Sequence, residues 1–118
     1  MTEPGDGSAP IYEAKADLFK ALAHPARVRA LEVLVEGERS VSDLQPEVGI
    51  DSSYLSQQLG ILRRAGLLTS RKEGTSVIYG ISDPLLVDLL GVARRFLIAS
   101  LAQTRELLEG LESDEVSG

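Results

Sequence analysis

Between Ser52 and Gln58 the chain sets Ser52, Ser53, Tyr54, Ser56, Gln57 and Gln58 around a single leucine, Leu55. Glutamine amides pair with the donor and acceptor edge of adenine. Hydroxyls serve base edges or phosphates, and a tyrosine meets a phosphate or a thymine methyl. A little further on, Arg71-Lys72-Glu73-Gly74-Thr75 puts two cations beside a glycine. Cations at such a turn suit phosphate contact or a reach into a minor groove. Gly74 supplies the positive φ that the turn needs, and Thr75 completes the candidate set. The chemistry on offer is hydrogen bonding and charge neutralisation rather than bond making. The plainer account of the same residues is a solvated helix face and a hairpin edge kept soluble by charge.

These groups need elements to hold them. Leu55, Leu59 and Leu62 recur at i, i+4 and i+7, the signature of a helix with one inward face. Asp51 or Ser52 can cap that helix, and Arg63 and Arg64 end it, where cations suit its dipole. On this period Ser53, Ser56 and Gln57 share the outward face and Gln58 lies nearer the flank. Before it, Gly49-Ile50-Asp51 forms a tight turn after a short helix that Ser40 or Ser42 caps, with Val41, Leu44 and Val48 inward. Two short helices around a glycine turn make a helix-turn-helix. After it, Gly66 sits at a C-cap, and 67–71 and 77–81 are the strands of a hairpin. A recognition helix feeding such a hairpin reads as a DNA-binding winged unit.

Upstream, Ile11, Leu18 and Leu22 mark a helix over 11–23, and Pro25 opens a second that carries Val28, Leu31, Leu34 and Val35. Downstream, Asp83-Pro84 opens a long last helix. Its apolar stripe runs through Leu86, Leu90, Ala93, Leu97, Leu101, Leu108 and Leu111, beside a second row of Leu85, Leu89, Val92 and Phe96. A stripe this wide exceeds what one small core needs. With Leu18 on the first helix, the residues Leu86, Leu90, Ala93, Leu97, Leu101 and Leu108 are expected to form a homodimer interface. The fold expected is mainly α with a small β-hairpin, a winged helix-turn-helix in the order α-α-α-α-β-β-α. Residues 1–10 are expected to be a disordered tail, 11–111 one domain, and 112–118 an acidic C-terminal tail.

The 118 residues carry a net charge of −6, which at first sight opposes a nucleic-acid partner. Its distribution removes much of the objection. Residues 52–81 hold Arg63, Arg64, Arg71 and Lys72 against Glu73, whereas 106–118 hold Glu106, Glu109, Glu112, Asp114 and Glu115 and no cation. Affinity follows the surface that meets phosphate, not the sum over the chain. There is no cysteine, hence no disulfide and no thiol switch. No apolar run is long enough for a membrane span, and the acidic start MTEPGDGSAP lacks the form of a signal peptide. A cytoplasmic location is expected. No phosphate loop, GxSxG or HExxH is present, and no enzyme constellation emerges.

The run Phe19-Lys20-Ala21-Leu22-Ala23-His24-Pro25-Ala26-Arg27-Val28-Arg29-Ala30-Leu31 precedes Ser53-Tyr54-Leu55-Ser56-Gln57-Gln58-Leu59 and Leu62-Arg63-Arg64-Ala65-Gly66-Leu67-Leu68. With the wing Arg71-Lys72-Glu73-Gly74 and the closing Val77-Ile78-Tyr79, this order resembles the ArsR/SmtB family of bacterial winged-helix repressors over roughly 11–110. The resemblance implies a homodimer that binds an inverted-repeat operator in double-stranded DNA and changes its grip on receiving a signal. It departs from the family's metal sensors. The stretch Ser40-Val41-Ser42-Asp43-Leu44-Gln45 has no cysteine pair, and the last helix offers Asp83, Asp88, Glu106 and Glu109 but no histidine. No cofactor is therefore expected. One alternative is a regulator with a weak Ni or Zn site drawn from His24, the N-terminal amine, Glu13, Asp17 and Asp88. Another, of a different class, is a protein-interaction module that does not bind DNA. His24 itself is expected to serve as a helix cap or turn residue.

Overall fold

The computed structural model describes residues 10–117, with side chains to Ser113. The tail expected over 1–10 falls, apart from Pro10, outside the described residues. The chain divides into two compact units, one ending at Asp83 and the other beginning at Pro84.

The first unit contains α1 (Ile11–Leu22), α2 (Pro25–Leu34), β1 (Arg39–Ser40), α3 (Val41–Val48), α4 (Ser52–Arg64), β2 (Leu68–Glu73) and β3 (Ser76–Ile81). Each helix start has a local cause. Pro25 stands in the first turn of α2, where a missing N–H is harmless, behind the N-cap His24. The Ser40 hydroxyl accepts from Asp43 N at 3.2 Å and caps α3. Asp51 accepts from Ser53 N at 3.0 Å and Tyr54 N at 3.2 Å and caps α4. Between α3 and α4, Gly49 takes a left-handed φ of 79°, and Gln45 Nε2 donates to Ile50 O at 2.9 Å, which fastens the turn. Pro46 is accommodated inside α3.

The core is leucine. Leu31 of α2, Leu44 of α3, and Leu55, Leu59 and Leu62 of α4 are the largest fully buried side chains. Burying each one contributes about 1.5–3 kcal/mol. Because α4 supplies three of them at helical spacing, its inward face is fixed, and so is the direction of the opposite face.

The hairpin differs from expectation in two ways. Its strands run on to Glu73↔Ser76, so the loop shortens to Gly74 and Thr75. Gly74 has φ 63°, and no described non-glycine residue has a positive φ. A two-residue turn with only its first central residue at positive φ is a type II′ hairpin turn, which matches the strand twist. Second, a short strand absent from the sequence reading, β1, pairs antiparallel with β3 through Arg39↔Tyr79 and Ser40↔Ile78. The sheet therefore has the order β1-β3-β2. Its open end is closed by Ser82, which donates through Oγ to Gly66 O at 2.8 Å and through N to Leu67 O at 3.1 Å.

The second unit is one helix, α5 (Pro84–Ser117), 34 residues long, or about 51 Å at 1.5 Å per residue. The boundary expected at 111/112 leaves no mark, because the helix continues through the acidic stretch. No described helix is long and apolar enough to cross a membrane.

Candidate nucleic-acid interface

The outward side of α4 is built by elimination. Leu55, Leu59 and Leu62 face the core, so Ser52, Ser53, Tyr54, Ser56 and Gln57 are left exposed. Gln58 is not. It is 6% exposed, and its Oε1 is buried with no hydrogen-bond partner. The expectation that Gln58 contacts DNA is corrected: three residues after Leu55 and four before Leu62, it stands at the edge of the inward leucine arc, about 40° beyond Leu62. Arg64 takes its place as a candidate the sequence reading undervalued. Its guanidinium lies back over Gly60, 3.2 Å from where a Cβ would stand. Arg64 follows Gly60 by four residues and Gln57 by seven, which puts a cation on the face of Ser53 and Gln57. The helical period alone held that signal.

Along β2 successive side chains alternate, so Arg71 and Lys72 point to opposite faces of the hairpin and the structure does not bring them together. Arg71 is engaged. Its Nε donates to Glu38 Oε2 at 3.1 Å, and its Nη1 donates to Glu73 Oε2. The hydrogen bond to Glu73, then that to Glu38, raise its pKa further above its already high value. Glu38 reaches the wing across Gly80, where a Cβ would come within 2.9 Å of Glu38 Cγ. Any larger residue at 80 would push Glu38 off Arg71. Lys72 enters no ion pair among the described residues. Counting Glu38 with the wing lowers the local positive excess from three charges to two, a reduction invisible in 52–81 alone.

His24 is a cap, as expected, and more. Its Nδ1 accepts from Ala26 N at 3.1 Å, and its Nε2 lies 2.8 Å from the Tyr54 hydroxyl. The rings meet edge to face, with centroids 6.0 Å apart and planes at 62°. Both imidazole nitrogens thus have partners. Among the described residues no group of three or more His, Cys, Asp or Glu is placed to hold a metal ion. Of the weak Ni or Zn site, the N-terminal amine lies outside the described residues, and His24 has no ring nitrogen to spare.

Of the expected dimer residues, Leu97, Leu101 and Leu108 are 59%, 68% and 55% exposed. Ala93 is exposed, and Leu18 and Leu90 are half-buried. Leu86 is buried and has little area to offer a second subunit, which corrects its assignment. Phe96, from the neighbouring row, is 70% exposed.

A capped helix-turn-helix whose second helix turns a polar face outward, followed at once by a β-wing, defines a winged helix-turn-helix DNA-binding protein. Residues 24–70 match the model of the bacterial regulatory protein family arsR. The chain is 50% identical over 107 residues to the uncharacterized HTH-type transcriptional regulator Rv0081 of Mycobacterium tuberculosis, covering 90% of this chain and 94% of that protein. The crystal structure of that protein superposes with a TM-score of 0.74 at 52% identity, over 81% of this chain and 97% of that one. A biofilm growth-associated repressor of Agrobacterium fabrum is 39% identical over 90 residues, 73% of this chain and 77% of that one. The homodimeric winged helix-turn-helix domain of Mb0332 from Mycobacterium bovis superposes with a TM-score of 0.73 at 29% identity, over 86% of this chain and 94% of that one. The chain belongs to the arsR family of bacterial transcriptional regulators.

Proposed function

We propose that the protein is a cytoplasmic, homodimeric repressor, not an enzyme, that binds an inverted-repeat operator. The observation that carries this reading is the outward face of α4, where Ser53, Ser56 and Gln57 stand exposed beside Arg64. One α4 from each subunit enters a major groove, and each wing flanks it. The exposed apolar residues of α5, with Phe96, Leu97, Leu101 and Leu108 among them, favour pairing through that helix, since a patch this apolar is otherwise costly to leave in water. The repressor relative and the homodimeric neighbour support the same reading. The operator signal is read without a thiolate or a histidine cluster, so an organic effector or constitutive binding fits the residues better than a metal.

The experiment is an anisotropy titration against the protein's own promoter region at two salt concentrations, with and without Ni²⁺ and Zn²⁺, alongside size-exclusion at micromolar concentration. Specific, salt-dependent binding by a dimer, unchanged by metals, is the expected result. A monomer with no specific binding at either salt moves the chain to the interaction-module reading. Binding altered by a metal overturns the reading of a metal-independent regulator.

A further inference from the structure

We propose that His24 is a positioning residue for DNA binding: it orients the Tyr54 hydroxyl so that its proton is donated to a backbone phosphate of the operator. The proposal rests on the DNA-binding reading above and adds to it a residue that lies outside the helix-turn-helix.

The proton count fixes the direction of each bond. The Ala26 N–H donates to His24 Nδ1, so that nitrogen carries the lone pair, and a neutral imidazole must hold its proton on Nε2. The 2.8 Å contact to Tyr54 Oη is then an Nε2–H donating to the phenol oxygen. The phenol has a single proton, and with its oxygen already accepting from the ring that proton is directed away from His24. A phosphate oxygen accepts only, and so meets its complement.

Place agrees with direction. Tyr54 is the third residue of α4, directly after the Asp51 cap, and is 38% exposed. It stands about 100° around the helix from Ser53, on the flank of the outward face. The centre of that face looks at base edges, while the flank looks at the backbone that borders the groove. His24 cannot swing away. It caps α2, its own N–H donates to Leu22 O at 2.8 Å, Pro25 follows it, and its ring is half-buried. One hydrogen-bonded line therefore runs from the Ala26 amide through the imidazole to the hydroxyl. It ties the start of α2 to the start of the recognition helix across thirty residues of sequence.

The test uses the full chain and the promoter fragment it binds, with His24→Asn, Tyr54→Phe and the double variant. Asparagine keeps an N-cap acceptor but is too short to reach α4, and phenylalanine keeps the ring and loses only the hydroxyl. Each single variant is expected to weaken binding about tenfold or more, the value of a hydrogen bond to a charged group. The double variant should be no weaker than Tyr54→Phe. A second readout replaces operator phosphates one at a time with neutral methylphosphonate. The wild type should lose affinity at one phosphate per half-site through Tyr54, and that position should fall silent in both single variants. Losses that multiply in the double variant, a Tyr54→Phe that binds like the wild type, or a methylphosphonate profile indifferent to Tyr54→Phe each overturn the proposal. They do so without touching the DNA-binding reading, which fails only if the wild type itself does not bind.

Discussion

Replacing Gln58 with methionine should make the protein more stable, against the usual direction of a core substitution. Gln58 is 6% exposed, and its Oε1 has no partner. Leaving a buried acceptor unmet costs about 1–3 kcal/mol relative to an apolar group of the same shape. Methionine matches glutamine in length and helix propensity and adapts to irregular gaps, so little new strain offsets the gain. A net stabilisation of about 1–2 kcal/mol is expected. At about 4–8 °C per kcal/mol for a domain of this size, the thermal midpoint should rise by at least about 4 °C. The measurement is a chemical and a thermal denaturation of wild type and Gln58→Met at one protomer concentration, since a dimer's midpoint depends on concentration. Operator affinity is measured in parallel and should not change, because the side chain faces away from the groove. A lower midpoint would refute the reading of an orphaned acceptor. A lost affinity at unchanged stability would show that Gln58 reaches DNA after all.

Leu59→Ala removes a fully buried side chain at the centre of α4 and should lower stability by about 2–5 kcal/mol, read from the denaturant midpoint. Asp51→Ala deletes the acceptor for two amides at the start of α4 and should cost about 0.5–2 kcal/mol, whereas Asp51→Ser recovers most of it in the same melt. Lys72→Ala should flatten the plot of log K against log salt by about 0.9 per subunit if Lys72 meets one phosphate; an unchanged slope takes Lys72 out of the interface. Glu38→Gln removes one of the two carboxylates that hold Arg71 and should tighten operator binding and steepen the same slope. Weaker binding by Glu38→Gln would mean that Glu38 instead holds Arg71 in its working position.

The helix-turn-helix was legible in the sequence because its causes are local. Ser40 and Asp51 cap, Gly49 turns, and Leu55, Leu59 and Leu62 repeat, all within a span of about two dozen residues. What escaped depends on partners far along the chain. β1 is two residues long and has no alternation to betray it; it exists because β3 comes to lie beside it. Glu38 carries no local sign that it will reach Arg71, thirty-three residues on. Gln58 misled through its residue type: a polar side chain at the flank of a polar run reads as outward, yet it is buried at the edge of the leucine arc, beside Leu62. The wing strands were placed correctly, but their ends were drawn short, since charged residues such as Lys72 and Glu73 disguise a ladder that continues to the turn. The helix runs on into the acidic stretch after 111, because charge does not end a helix that lacks a breaker.

Ser40 is both the last residue of β1 and the N-cap of α3. Its backbone is held in register by Ile78 while its hydroxyl receives the first turn of the helix. No spare residue lies between sheet and helix to absorb a change in length. An insertion or deletion of one residue at Ser40 must give up either the strand pairing or the cap. The edge of the wing sheet and the first turn of α3 thus share one residue.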